Sequence, residues 1–201
     1  MNYFILNQAP LVDKTYCTLG DLPANLQELS HLMSFGSPVG SDYPKDAQWR
    51  MSDEFGGLKL PSLVANTDST LVVERNLKEI FASTGAPLEC LPFALLNHKG
   101  RVASRDYFII NPLAILDCLN PTKSEIEWEG EDVVELRKAV LDPDKMKDAP
   151  QVFRIKEARE QIVISHSLAD ALKKAAPTNV YLFGLELAPS GQSAKSRKAK
   201  N

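Results

Sequence analysis

The chain has 201 residues, 44% of them hydrophobic and 24% charged, which suits a soluble globular protein with a core that needs no disulfide or metal. A net charge of -3 argues against a non-specific nucleic-acid binder, which needs a cationic face. Cys17, Cys90 and Cys118 form an odd set with no CxxC pair, so they supply neither a disulfide framework nor zinc-ligand spacing. Three reduced, packed thiols in a reducing cytosol are expected.

At the N-terminus no basic region precedes the apolar residues 3–6, and that run is too short for a signal peptide. No segment reaches the roughly 18 apolar residues of a membrane span, so a cytoplasmic location is expected. Residues 3–6 read as a first strand. Leu26, Leu29 and Leu32 recur every third position and predict an amphipathic helix over 22–35, which a Gly/Pro/Ser-rich loop at 36–45 ends. Periodicity stays weak up to residue 57.

Beyond Leu60-Pro61 the pattern sharpens. A strand is predicted over 70–73, a helix over 75–83 stopped by Gly85, and a strand over Leu88–Leu96. Asn97-His98-Lys99-Gly100 reads as a hairpin turn leading into a strand over 102–110, because Asn and Gly tolerate positive φ. Pro112 at a first-turn position suggests a short helix over 112–118. Residues 124–129 alternate, with Glu125, Glu127 and Glu129 on one side and Ile126 and Trp128 on the other. A helical turn over 142–146, strands over Val152–Ile155 and 161–164, a helix over 167–175 and a strand over Val180–Leu187 follow. From Ala188 the composition turns to Ser, Ala, Gly, Lys and Arg, and such a tail is expected to stay disordered.

Two stretches resemble each other at a constant offset of 91 residues. Leu71-Val72-Val73 with Leu77, Ile80 and Phe81 parallels Ile162-Val163-Ile164 with Leu168, Ala171 and Leu172. Either two common patterns coincide, or the chain holds two equivalent strand-helix-strand units. The expected fold is α+β, with a mixed, largely antiparallel sheet, short helices against it and two similar strand-helix-strand units. The expected division is an N-terminal region over 1–57, an α+β domain over 58–187 and a basic tail over 188–201.

Motifs that carry chemistry are missing. The sequence has no GxGxxG, P-loop, GxSxG or HExxH, and His31, His98 and His166 do not share metal-ligand spacing with one another or with a cysteine. His31 lies beside the apolar stripe of its helix, where a structural role is the simpler reading. His98 occupies a turn that protrudes toward solvent or a partner. Ser165-His166-Ser167 has a catalytic look, yet adjacent side chains diverge and a helix-capping segment accounts for it better. Asp142 and Asp144 flank Pro143 as at a helix entry. No cofactor and no metal are expected.

The segment from Glu125 to Glu135 has the most to offer a partner. It gathers Glu125, Glu127, Glu129, Glu131 and Asp132 around Trp128, and concentrated negative potential steers a basic partner. Trp128 is either an interface anchor or a core residue under a polar outer face, and the alternation favours the core. Lys195, Arg197, Lys198 and Lys200 make a short basic run best read as a solvated end.

One family resemblance runs through the chain. Leu60-Pro61-Ser62-Leu63, Leu71-Val72-Val73-Glu74-Arg75-Asn76-Leu77 and the turn at 97–100 resemble the opening of a family of bacterial immunity proteins from polymorphic toxin systems, typified by a myxobacterial member. The likeness continues in Asp106-Tyr107-Phe108-Ile109-Ile110-Asn111, Ile115-Leu116-Asp117-Cys118-Leu119 and Ser124. It resumes in Leu141-Asp142-Pro143-Asp144-Lys145-Met146, Val152-Phe153-Arg154-Ile155, and Ile162-Val163-Ile164-Ser165 with Leu168, covering about 58–185. Glu74 stands where the family often has serine. The resemblance implies a cytosolic, non-catalytic protein that neutralises a cognate toxin by occlusion; the residues read above supply Glu125, Glu127, Trp128, Glu129, Glu131, Asp132 and His98 as candidate contacts. An acidic inhibitor suits a basic toxin such as a nuclease; neither membrane nor direct nucleic-acid contact is expected. The alternatives are a carboxylate- or His-dependent hydrolase and a structural or regulatory adaptor.

Overall fold

The structure, a computed structural model, describes residues 2–8 and 13–189. The basic run of the tail lies outside the described residues. In chain order the elements are β1 (Tyr3–Gln8), α1 (Ala24–Gln27), α2 (Ser30–Phe35), β2 (Gln48–Arg50), β3 (Leu63–Val64), β4 (Leu71–Glu74), α3 (Arg75–Ala82), β5 (Leu88–Leu96) and β6 (Val102–Pro112). Then follow β7 (Ile115–Leu116), β8 (Glu125–Glu129), β9 (Asp132–Lys138), β10 (Val140–Leu141), β11 (Val152–Ile155), β12 (Ala158–Ser165), α4 (His166–Lys174) and β13 (Val180–Leu187). One sheet runs β10-β13-β1-β12-β11-β7, a second runs β2-β5-β6-β4-β3, and β8-β9 is a separate hairpin. The α+β class and the two strand-helix-strand units are as the sequence indicates.

Each unit is a split β-α-β motif. In the second sheet β4 leads through α3 to β5, and β6 lies antiparallel between β4 and β5. In the first sheet β12 leads through α4 to β13, and β1 lies antiparallel between them. The match extends outward: β3 flanks β4 and β11 flanks β12, both antiparallel, while β2 flanks β5 and β10 flanks β13, both parallel. The two middle strands carry nearly the same sequence, Tyr3-Phe4-Ile5-Leu6-Asn7 and Tyr107-Phe108-Ile109-Ile110-Asn111. Tyr3, Phe4, Ile5 and Leu6 face Ser165, Ile164, Val163 and Ile162 as Tyr107, Phe108, Ile109 and Ile110 face Glu74, Val73, Val72 and Leu71.

The strand period of two divides these residues between two faces of each sheet. The inner faces share one apolar cluster with both helices, containing Leu6, Ile162 and Ile164 from one sheet, Leu71, Val73 and Ile110 from the other, and Leu77, Phe81, Leu168 and Leu172 from α3 and α4. The outer face of the second sheet, with Trp49, Val72, Leu91, Phe93, Tyr107 and Ile109, shares a cluster with Leu26 of α1 and Met33 of α2. The outer face of the first sheet, with Tyr3, Phe153, Ile155 and Val163, meets Cys118, Leu119 and Met146, and the hairpin adds Ile126 and Leu136.

A buried arginine ties these layers. Arg154 on β11 is fully buried, and its guanidinium donates to the carbonyls of Met33 (2.8 Å), Ser34 (2.6 Å), Pro112 (3.0 Å) and Arg159 (2.6 Å) and, at 3.4 Å, to Asn111 Oδ1. Burial pulls its pKa down to about 10, so it stays charged at neutral pH. The acceptors come from the last turn of α2, from the end of β6 and from beside the β11–β12 turn, so one side chain links both sheets and the cover of the second. Gly36, which ends α2 at φ 74°, must be glycine twice over: its φ is left-handed, and a Cβ would sit 2.7 Å from Arg154 Cδ.

Three local expectations are corrected. The helix over 22–35 is two short helices, broken where Leu29 serves as N-cap residue of α2. Residues 112–118 are not helical: β6 runs on to Pro112, and Ile115-Leu116 pair in parallel with β11, where the Arg154 and Lys156 amides donate to the Ala114 and Leu116 carbonyls at 2.8 and 2.9 Å. Tertiary pairing overrides the local Pro signal there. Residues 143–148 form turns rather than a helix, started by Asp142 Oδ1 accepting the Asp144 amide at 3.0 Å.

Candidate functional site

The β8–β9 hairpin belongs to neither unit, since it is inserted between β7 and β10. Glu129 and Asp132 close a two-residue turn with Gly130 (φ 64°) at its first central position, the residue such a turn demands. The chain then returns through Val133 and Val134. Ile126 and Leu136 face each other and sit against the outer face of the first sheet, which holds the hairpin's base to the fold. Beyond that base the hairpin leaves the core. Trp128, opposite Val133 and past a register shift, is 52% exposed. The core reading of Trp128 therefore fails: alternation gives the side a residue faces, but the core does not extend that far.

The hairpin brings Glu125, Glu127, Trp128, Glu129, Glu131 and Asp132 onto one projecting element, and all six are exposed. Arg137, two residues beyond Glu135 on β9, forms salt bridges with Glu127 and, at 2.8 Å, with Glu135. Glu135 in turn holds the Arg137 guanidinium above its usual range, as a surplus of carboxylates would. Lys138 pairs with Glu186 of β13 at 3.1 Å. Among the described residues Glu125, Glu129, Glu131 and Asp132 form no salt bridge, so the uncompensated charge lies mainly at the tip and along β8.

The histidines stand elsewhere. His98 lies in the β5–β6 turn of the other sheet, with Nε2 3.2 Å from the Gly57 carbonyl and Nδ1 3.5 Å from Asp53 Oδ1, while its own carbonyl accepts from Arg50. Its ring is turned inward to fix the turn. His31 is exposed on α2. Ser165 is the N-cap residue of α4, its Oγ accepting the Leu168 amide at 3.3 Å. His166 stacks on Phe4 and pairs with Asp170 at 3.2 Å, while the Ser167 hydroxyl donates to Gln151. Capping therefore accounts for the Ser-His-Ser run. Cys17 and Cys118 are free and buried, and burial pushes their thiols up to about 11 and about 12, the reverse of what a nucleophile needs. Asp142, its carboxylate accepting from Asn120 at 3.4 Å as well as from Asp144, organises a loop. Among the described residues no group of His, Cys, Asp and Glu is placed to hold a metal, and no helix is long and apolar enough to cross a membrane.

The sequence reading missed β9 and so missed that the acidic strand is half of a hairpin. Gly130 followed by Val133-Val134 was the available signal. No curated protein matches the chain in sequence. Apart from β1 and the end of β13, the fold's two units and the inserted hairpin fall within residues 11–183, over which the sequence matches the Immunity protein family (Imm11), and the chain belongs to that family.

Proposed function

We propose that this protein binds a cognate bacterial toxin and neutralises it by occlusion in the cytoplasm of the producing cell, without catalysis of its own, using the acidic β8–β9 hairpin as the first point of contact. Family membership supports an immunity role and a toxin as partner. The observation that carries the site is the hairpin itself: an element outside both structural units that exposes Glu125, Glu127, Glu129, Glu131, Asp132 and Trp128 together. A projecting acidic hairpin accelerates encounter with a basic toxin, for which a nuclease is the natural candidate, and Trp128 offers contact area once docked.

Charge reversal at Glu125, Glu127 and Glu129 is expected to slow association with the toxin by about ten-fold or more at low ionic strength and to flatten its salt dependence. Stopped-flow or biosensor kinetics with the inactivated toxin encoded beside this gene measure it. Association rates equal to wild type in low salt rule the hairpin out. A toxin that neither binds the wild-type chain nor is restrained by it in a growth assay rules out the immunity reading.

A further inference from the structure

The two units allow an internal comparison of their outer faces. On β5 and β13 the register is equivalent: Phe93 faces Tyr107 as Leu185 faces Tyr3, Leu91 faces Ile109 as Phe183 faces Ile5, and Glu89 faces Asn111 as Tyr181 faces Asn7. Leu91 is 7% exposed, buried in one cluster with Leu26 of α1, Met33 of α2 and Val39 after them. Glu89 is engaged too, its carboxylate accepting the Val39 and Gly40 amides at 3.0 and 2.8 Å and Asn111 Nδ2 at 3.0 Å. At the matching places on the first sheet Phe183 is 50% and Tyr181 43% exposed, their rings stacked 6.0 Å apart. The hairpin, through Ile126 and Leu136, packs on the cluster that also holds Leu185, Leu187 and Ile5. β13 pairs with β1 over residues 180–185 and with β10 only at Glu186 and Leu187, so at Tyr181 and Phe183 it has a strand neighbour on one side. The same fold unit thus has its outer face closed in one half and partly open in the other, and the acidic hairpin stands on the face that is open.

We infer that Tyr181 and Phe183 are the apolar anchor point for the toxin. A segment of the partner takes the place over β13 that the chain's own residues 24–43 hold over the second sheet, where Val39, Gly40 and Tyr43 bond to β5, its apolar side chains on the aromatic pair and its lysines or arginines against the hairpin. This inference rests on the reading of the hairpin as the toxin-facing element. It separates two tasks: the carboxylates set the rate of encounter, and the aromatic pair sets the lifetime of the complex.

The test is binding kinetics of the full chain with the inactivated toxin encoded beside its gene, for wild type and for a variant with Tyr181→Ser and Phe183→Ser. The expected result is Kd raised by about 30-fold or more, nearly all in dissociation rate, with association and its salt dependence unchanged. A photo-crosslinking residue at position 183, which does not depend on losing a contact, should couple to the toxin, while one at exposed Val102 on β6 should not. If the wild-type chain binds and the double variant dissociates no faster, or no crosslink forms at 183, the anchor assignment falls and the immunity reading stands. If wild type fails to bind at all, the immunity reading falls and takes this inference with it. A wild-type dimer in sedimentation that the double variant dissolves would assign the face to a second copy of this chain and overturn the toxin assignment.

Discussion

The two halves of this molecule are one fold solved twice with different covers. Around β6, two short helices close the outer face and Glu89 is held by backbone amides; around β1, the same register ends in exposed aromatics beside an acidic hairpin. Because five strands of each sheet share one order and one pattern of parallel and antiparallel pairing, the difference does not follow from strand arrangement. It teaches that burial at a strand position is set by what lies over the sheet as much as by the strand, and that an uncovered position in a repeated unit is a place to look for a partner.

The largest expected effect concerns the joint between the halves. Arg154→Ala should destabilise the protein by about 3–5 kcal/mol, since it strands several buried carbonyls and leaves a void. Chemical denaturation measures this, and a loss under ~1 kcal/mol would mean that α2 and β6 hold their places without the arginine. The sharpest comparison is between equivalent positions. Leu91→Ala should cost about 2–4 kcal/mol as a covered core truncation, whereas Phe183→Ala, though it removes a larger side chain, should cost under ~1 kcal/mol. Equal costs would show that the first sheet's outer face is closed in solution. The smallest effect is at the helix starts. Ser165 caps α4 with its side chain, while Glu74, at the matching place before α3, makes no side-chain cap bond. Ser165→Ala should therefore lose about 1 kcal/mol and Glu74→Ser should gain about 0.5 kcal/mol, both readable from thermal unfolding.

Much of the unit architecture is legible from residues alone, because β4-α3 and β12-α4 carry strong strand and helix periods at one offset and each is followed by a further strand. The pairing of the middle strands was equally available, in Tyr3-Phe4-Ile5-Leu6-Asn7 against Tyr107-Phe108-Ile109-Ile110-Asn111, but this repeat has a different offset from the first and sits at the far end of the chain, so a single-offset comparison passes over it. Residues 112–118 misread as helix because Pro112 carries a local first-turn signal, whereas the strand state of Ile115-Leu116 depends on β11, which is distant in sequence. Arg154 reads as an ordinary charged residue until five acceptors from three segments meet it. As for the site, the acidic cluster is plain in the sequence, but the exposure of Trp128 and the aromatic pair is not, since alternation specifies a face and says nothing of how far the cover extends.

The most direct test of the account is hydrogen–deuterium exchange of the chain alone and in complex with its toxin. Added protection is expected on the hairpin at 125–138 and on β13 at 180–185, with none on the α1–α2 cover at 24–35. Protection confined to the α1–α2 cover or to the β5–β6 turn, with the hairpin and β13 unchanged, would contradict it.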